Sequence, residues 1–126
     1  MVRGLNKVMI IGNLGRDPEL RHTPSGRPVA SFSVAVTERW GEKDHTEWLN
    51  VVAWGKLAEI CAQYLSKGSR VYLEGRLQTR NYQDADGRER QRTELVLREM
   101  VMLGGGRPRS QQAQQADEMD LDEIPF

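Results

Sequence analysis

A chain of 126 residues with 38% hydrophobic content has room for one domain with a modest core, and its single cysteine excludes an internal disulfide or a multi-cysteine metal site. The formal net charge of zero hides a division: residues 1–110 hold all 18 Lys and Arg and carry +5, whereas residues 111–126 hold five acids and no base. A basic body with an acidic tail is a pattern of nucleic-acid-binding chains, with a merely solvated tail as the competing reading that charge does not separate; the early apolar run at residues 8–11 is too short for a signal peptide or a membrane span, so a soluble, cytoplasmic protein with no membrane partner is expected.

Residues 5–14 read as a strand, in which Val8, Met9, Ile10 and Ile11 run into Gly12-Asn13-Leu14-Gly15. The two glycines predict a bend or bulge at a sheet corner. No Lys-Ser/Thr and no helical pattern follow them, which argues against a phosphate cradle. Asp17-Pro18 and Pro24-Ser25-Gly26 mark turns around a short strand at residues 19–23. Residues 29–37 alternate, with Ala30, Phe32, Val34 and Val36 on one face and Ser31, Ser33 and Thr37 on the other, as a half-buried antiparallel strand requires. A polar loop is expected over residues 38–45, exposing Trp40 beside Arg39 and Lys43, and a tryptophan so placed points to function.

Residues 46–55 form the central strand, sending Trp48, Asn50, Val52 and Trp54 one way and Leu49, Val51 and Ala53 the other. Tryptophans in such a strand are either core or platforms on which flat ligands stack. Residues 56–67 then carry Leu57, Ile60, Cys61, Tyr64 and Leu65 at helical spacing, with Gly68 at the place of a C-terminal cap and Cys61 as a buried small hydrophobe. Two strands follow at residues 70–79 and 91–103. Val71, Leu73, Leu77, Leu95, Leu97, Val101 and Leu103 are their expected inward faces, and Asp84-Ala85-Asp86-Gly87 is the turn between them. The hairpin tip extends past the core and is crowded by Arg76, Arg80, Arg88, Arg90 and Arg92 around Tyr82: cations for phosphates and a ring for a base.

Residues 1–104 are therefore expected to fold, residues 105–116 to be a Gln-rich linker, and residues 117–126 to be an acidic tip. In that tip Asp117, Glu118, Asp120, Asp122 and Glu123 precede Ile124, Pro125 and Phe126, a short linear motif whose last ring fills a pocket while the terminal carboxylate meets a cation.

Five strands with one helix between the third and fourth is the order of the OB-fold, so an all-β class is expected: a five-stranded Greek-key barrel with a disordered acidic tail. At this point the chain resembles the bacterial single-stranded DNA-binding proteins. The resemblance rests on Arg-Gly-Leu-Asn-Lys-Val (3–8), Gly-Asn-Leu-Gly-Arg-Asp-Pro-Glu (12–19), Thr-Glu-Trp (46–48), Gly-Lys-Leu-Ala-Glu (55–59), Tyr-Leu-Ser-Lys-Gly (64–68), Val-Tyr-Leu-Glu-Gly (71–75) and the terminal Asp-Glu-Ile-Pro-Phe. It implies that Trp40, Trp48, Trp54 and Tyr82 stack on or pack near bases and that Arg3, Lys7, Lys56 and Arg80 approach phosphates. It further implies a homotetramer that wraps single-stranded DNA, recruits replication and repair proteins through its tip, and associates with the nucleoid. The chain departs from the family at Tyr82, where Trp is common, at Asn81, where a base is common, and at Leu49, which replaces a His linked to subunit contacts. Trp48, beside Leu49, is accordingly expected to belong partly to a subunit interface.

No catalytic residue, metal ligand set or cofactor motif is expected. His22 and His45 fall in turn or loop segments and read as solvated, and the acids are scattered, which weighs against a nuclease. An RNA-binding OB module is the other class, distinguished by comparing matched DNA and RNA single strands.

Overall fold

The computed structural model describes residues 3–104. Its strands are β1 (Val8–Leu14), β2 (Glu19–His22), β3 (Pro28–Trp40), β4 (Lys43–Trp54), β5 (Arg70–Gln83) and β6 (Glu89–Gly104), with helix α1 (Lys56–Tyr64) between β4 and β5. The sheet runs β1-β5-β6-β4-β3-β2, and β1 also meets β3 through Asn13↔Ala35 and Leu14↔Val34. That contact closes the five long strands into a barrel, while β2 lengthens the edge of β3. All neighbours are antiparallel except β4 and β6. The expected OB-type barrel is present, with its helix between the third and fourth long strands.

Alternation builds the core. Ala30, Phe32 and Val34 of β3, Val51 and Ala53 of β4, Val71 and Leu73 of β5, and Leu95 and Leu97 of β6 point inward and are buried with Leu14. Ala58, Cys61 and Leu65 close one end of this core, with Leu57 packed against it. Gly12 permits the closure, since a Cβ there would press on the Ala35 carbonyl and the Val34 side chain where β1 crosses β3.

Several expectations are corrected. The helix ends at Tyr64 rather than at residue 67, because Leu65 is already extended and donates its N–H to the Cys61 carbonyl at 2.9 Å. Gly68 is not its cap. It lies in the turn into β5, donating to the Leu14 carbonyl at 2.8 Å while Lys67 N–H donates to Asp17 Oδ1 at 2.7 Å, so β1 and its following loop claim the segment that local pattern assigned to the helix.

Residues 38–45 are not a loop either. β3 and β4 continue as a two-stranded arm to a turn at Gly41-Glu42, with Trp40 opposite Lys43 and Gly41 at φ 65°, the positive φ that a type II′ hairpin turn needs at its first central residue. Polar pairs line the arm: Thr37 with Thr46 at 3.0 Å and Arg39 with Asp44 at 3.5 Å. An arm solvated on both faces has no reason to alternate, which is why it reads as a loop. His45 and His22 lie in strands for the same reason.

Leu77 and Val101 are exposed, against expectation. Leu77 shares a face with Leu95 but lies beyond the end of β1, where the Asn6 side chain bonds the Leu77 N–H and carbonyl at 2.9 and 2.8 Å. Val101 is turned outward by one extra residue in β6. Glu74 pairs with Glu99 and Gly75 with Leu97, leaving Arg98 unpaired and reversing the parity beyond it, so that Met100 faces Leu73 and Val101 faces Tyr72. Among the described residues no helix is long and apolar enough to cross a membrane. The linker at residues 105–116 and the tip from Asp117 to Phe126 lie outside the described residues.

Candidate functional site

Trp54 ends β4 on the outer surface of the barrel. The register places Trp54 beside Val29, Val52 beside Ser31, Asn50 beside Ser33 and Trp48 beside Ala35, so one face carries both indoles with small side chains between them. On the other side of β4, the parallel strand β6 sets Glu94 beside Asn50 and Val96 beside Val52. β5 then adds Gln78 opposite Glu94 and Arg80 opposite Arg92. These residues and the β2 edge enclose an open groove of about 590 Å³, lined by Val29, Ser31, Val52 and Trp54, by Arg16, Glu19 and Arg21, and by Gln78, Arg80, Arg92 and Glu94.

Four arginines and two carboxylates set its electrostatics. Glu94 is only 6% exposed, and Arg80 grips it with a fork: Nε donates to Oε1 at 3.3 Å and Nη2 to Oε2 at 3.1 Å. That bond holds the Arg80 guanidinium still more firmly protonated than usual. Arg92 Nε lies 3.6 Å from the same Oε2, buried and without a hydrogen bond. Across the groove, Arg21 donates to Glu19 at 2.8 Å, and this hydrogen bond, with the Arg21 charge, holds the Glu19 carboxyl below the usual range. Trp54 is 37% exposed, and the Arg27 guanidinium sits over its ring at 4.7 Å from the centroid, a cation–π contact.

The expected site residues divide. Trp54 and Arg80 line one groove. Lys56 is exposed two residues beyond Trp54 at the start of α1, and Tyr82 lies two residues beyond Arg80 on the same face of β5, exposed opposite Arg90. Trp48 shares the outer face of β4 with Trp54, its ring lying against Gly15, and is 61% exposed. Trp40 is equally exposed, but its register puts it on the opposite face of the β3–β4 arm. There it stacks on His45, with centroids 4.6 Å apart and planes at 10°, and His45 Nε2 is 2.7 Å from Glu47, so this histidine is a packed side chain rather than a free one. Lys7 is turned to Glu74 at 3.5 Å, and Arg3 is exposed ahead of β1.

Sequence reasoning missed Arg16, Arg21, Arg27 and above all Glu94 as parts of this site. No local signal marks them. Arg27 meets Trp54 only through the Val29↔Trp54 register, and Glu94 is buried only because β4 and β5 flank it. A ring available for stacking, set among guanidiniums, suits a ligand that combines flat rings with repeated anionic groups. Among the described residues no group of His, Cys, Asp or Glu could hold a metal ion.

Comparison with known proteins gives a consistent answer. The model of the Single-strand binding protein family matches residues 5–103. A single-stranded DNA-binding protein of Neisseria meningitidis serogroup B is 54% identical over 106 residues, covering 80% of this chain and 61% of that protein. Single-stranded DNA-binding protein 1 of Chlorobaculum tepidum is 53% identical over 110 residues, 82% of this chain and 68% of that protein. Among solved structures, the Plasmodium falciparum SSB complex with ssDNA aligns with a TM-score of 0.74 at 32% identity, covering 82% of this chain and 98% of that one. The match spans 61% of the length of the Neisseria relatives, short of two thirds.

Proposed function

The chain belongs to the single-strand binding protein family, and from that premise we propose that it binds and protects single-stranded DNA without sequence specificity, with no catalytic step of its own. The observation that carries this reading is the groove in which a half-exposed Trp54 stands among Arg16, Arg21, Arg80 and Arg92. Stacking tolerates any base and the guanidiniums of Arg16, Arg21 and Arg80 meet phosphates that every nucleotide carries, so the arrangement favours single strands over any particular sequence. Lys56, Tyr82 and Trp48 extend the track on the same reading, while Trp40, Lys7 and Arg3 serve a strand that wraps onto further faces.

The test is fluorescence anisotropy of labelled oligo-dT with the native protein and Trp54→Ala. Loss of one stacking platform should weaken binding by about 1–3 kcal/mol, roughly five- to 150-fold, and affinity should fall as salt rises. Equal affinity of the two proteins would sink the reading.

Within this proposal the protein acts in replication, recombination and repair in the cytoplasm, on the nucleoid. It works as a homotetramer and recruits partner proteins through the tip at Asp117, Glu118, Asp120, Asp122, Glu123, Ile124, Pro125 and Phe126. Two observations support self-association. Residues 8–12 of β1 pair only with β5 among the described residues, leaving the other strand edge open. The outer face beside that edge carries an apolar patch, exposed Met9 and Val101 around the half-buried Ile11 and Tyr72, bordered by Glu74 and Glu99. On the same reading the acidic tip competes with DNA for the domain's basic surface until a partner takes it.

A further inference from the structure

Glu94 is oversubscribed. Its Oε2 accepts from Arg80 Nη2 at 3.1 Å while Arg92 Nε stands 3.6 Å away, buried and without a hydrogen bond. One buried carboxylate therefore serves two guanidiniums and fully satisfies only one. We propose that Arg80, Glu94 and Arg92 form an exchange triad: when a DNA phosphate draws Arg80 out of its fork, Arg92 closes on Glu94 and keeps the buried carboxylate paired. Arg92 is thus a positioning residue for the bound state, acting through Glu94. This rests on the single-strand-binding reading above.

The physical reason is the cost of the alternative. Arg80 is the half of the fork that faces the groove, with a side chain 52% exposed against 8% for Glu94, so it can leave while Glu94 cannot. Without a second cation, its departure would strand a buried charge, which is far more costly than the loss of a surface ion pair. Arg92 Nε is already placed within 4 Å of the oxygen that Arg80 would free, so a small side-chain movement restores the pair and gives the Nε the acceptor it lacks. Glu94 thereby holds Arg80 in the free protein without locking it there.

The experiment is a double-mutant cycle on binding of the full chain to oligo-dT, using Arg92→Gln, Glu94→Gln and the pair, with side-chain NMR of the arginine Nε–H groups. In the native background Arg92→Gln should weaken binding about tenfold and lower the steepness of the salt dependence by about 0.7, the value of one phosphate contact on a single strand. In the Glu94→Gln background no buried charge remains to be stranded, and the same change should cost at most about twofold. On addition of oligo-dT the Arg92 Nε–H resonance should move downfield in the native protein and stay in place in Glu94→Gln. Equal losses in the two backgrounds would overturn the triad, as would an unmoved Arg92 resonance in native protein that binds. Failure of the native protein to bind oligo-dT would instead remove the underlying reading. Should Glu94→Gln fail to fold, the native resonance and an Arg92→Lys variant still decide: restored charge should recover most of the affinity lost in Arg92→Gln, and no recovery would overturn the proposal.

Discussion

Two large aromatic side chains separate the chemistry of the core from that of the surface. Phe32 is enclosed by the barrel, whereas Trp54 lies on its outside beneath the Arg27 guanidinium. Urea denaturation should therefore show Phe32→Ala losing about 3–5 kcal/mol and Trp54→Ala clearly less, although Trp54 is the larger ring. The converse order would make Trp54 a core residue and weaken its assignment to the groove. Cys61 gives a second test at this scale. Burial pushes its thiol up to about 11 from an ordinary 9.0, so the folded state favours the neutral thiol. Its stabilising contribution is complete below pH 9.0 and is lost as pH rises through about 11. Over that window the native protein should lose about 2–3 kcal/mol more than Cys61→Ala. Parallel declines would mean that water reaches the thiol in the fold.

The elements that leave the barrel follow different rules from those that build it. The β5–β6 arm is closed by Asp84, which accepts from Asp86 N–H at 2.9 Å, Arg88 N–H at 3.0 Å and Arg90 Nε at 3.0 Å. The Arg90 hydrogen bond, followed by those from the backbone, holds the Asp84 carboxyl below its ordinary 3.8. A lowered pKa contributes above the ordinary value and is lost as pH falls through the folded one. In an acid titration by NMR, the amides of Gly87 and Arg88 should shift together with a midpoint below 3.8, and Asp84→Ala should lack that step. Independent midpoints at ordinary carboxylate values would leave the turn without its proposed lock. The Asp-Ala-Asp-Gly turn was legible because turn chemistry is local. The β3–β4 arm was not, since Glu38, Arg39, Lys43 and Asp44 lie in strands that bury neither face. Leu77 and Val101 misled for a third reason: an unpaired Arg98 and the early end of β1 change what faces the core, and neither can be seen within one strand.

At the scale of the whole molecule, closure is made by two residue pairs between β1 and β3, and among the described residues it leaves most of β1 with one free edge. An open edge beside an exposed apolar patch is a hazard unless something covers it, and a second copy of the chain is the occupant proposed above. Multi-angle light scattering should show Met9→Arg shifting the assembly to smaller species while the isolated barrel keeps its circular dichroism. An unchanged mass would remove this face from the interface. For the acidic tip, deletion of Phe126 should abolish capture of partner proteins while oligo-dT affinity is kept or raised. Partner capture that survives the deletion would sink the recruitment role.

What the sequence determined alone was everything that depends on near neighbours: the alternation of Ala30, Phe32 and Val34 against Ser31 and Ser33, the stripe through Leu57, Cys61 and Leu65, the Asp84 turn, and motifs dense enough to point to a family. It also set Trp48 and Trp54 on one face, because parity in a strand needs no knowledge of the partner strand. Only the tertiary structure decided which outward side chains meet. Arg27 reaches Trp54 through β3, Glu94 is buried between β4 and β5, and Trp40 is turned to the far face of its arm with His45. Those contacts follow from register and barrel closure, which join residues far apart in the chain and leave no local mark on the residues they join.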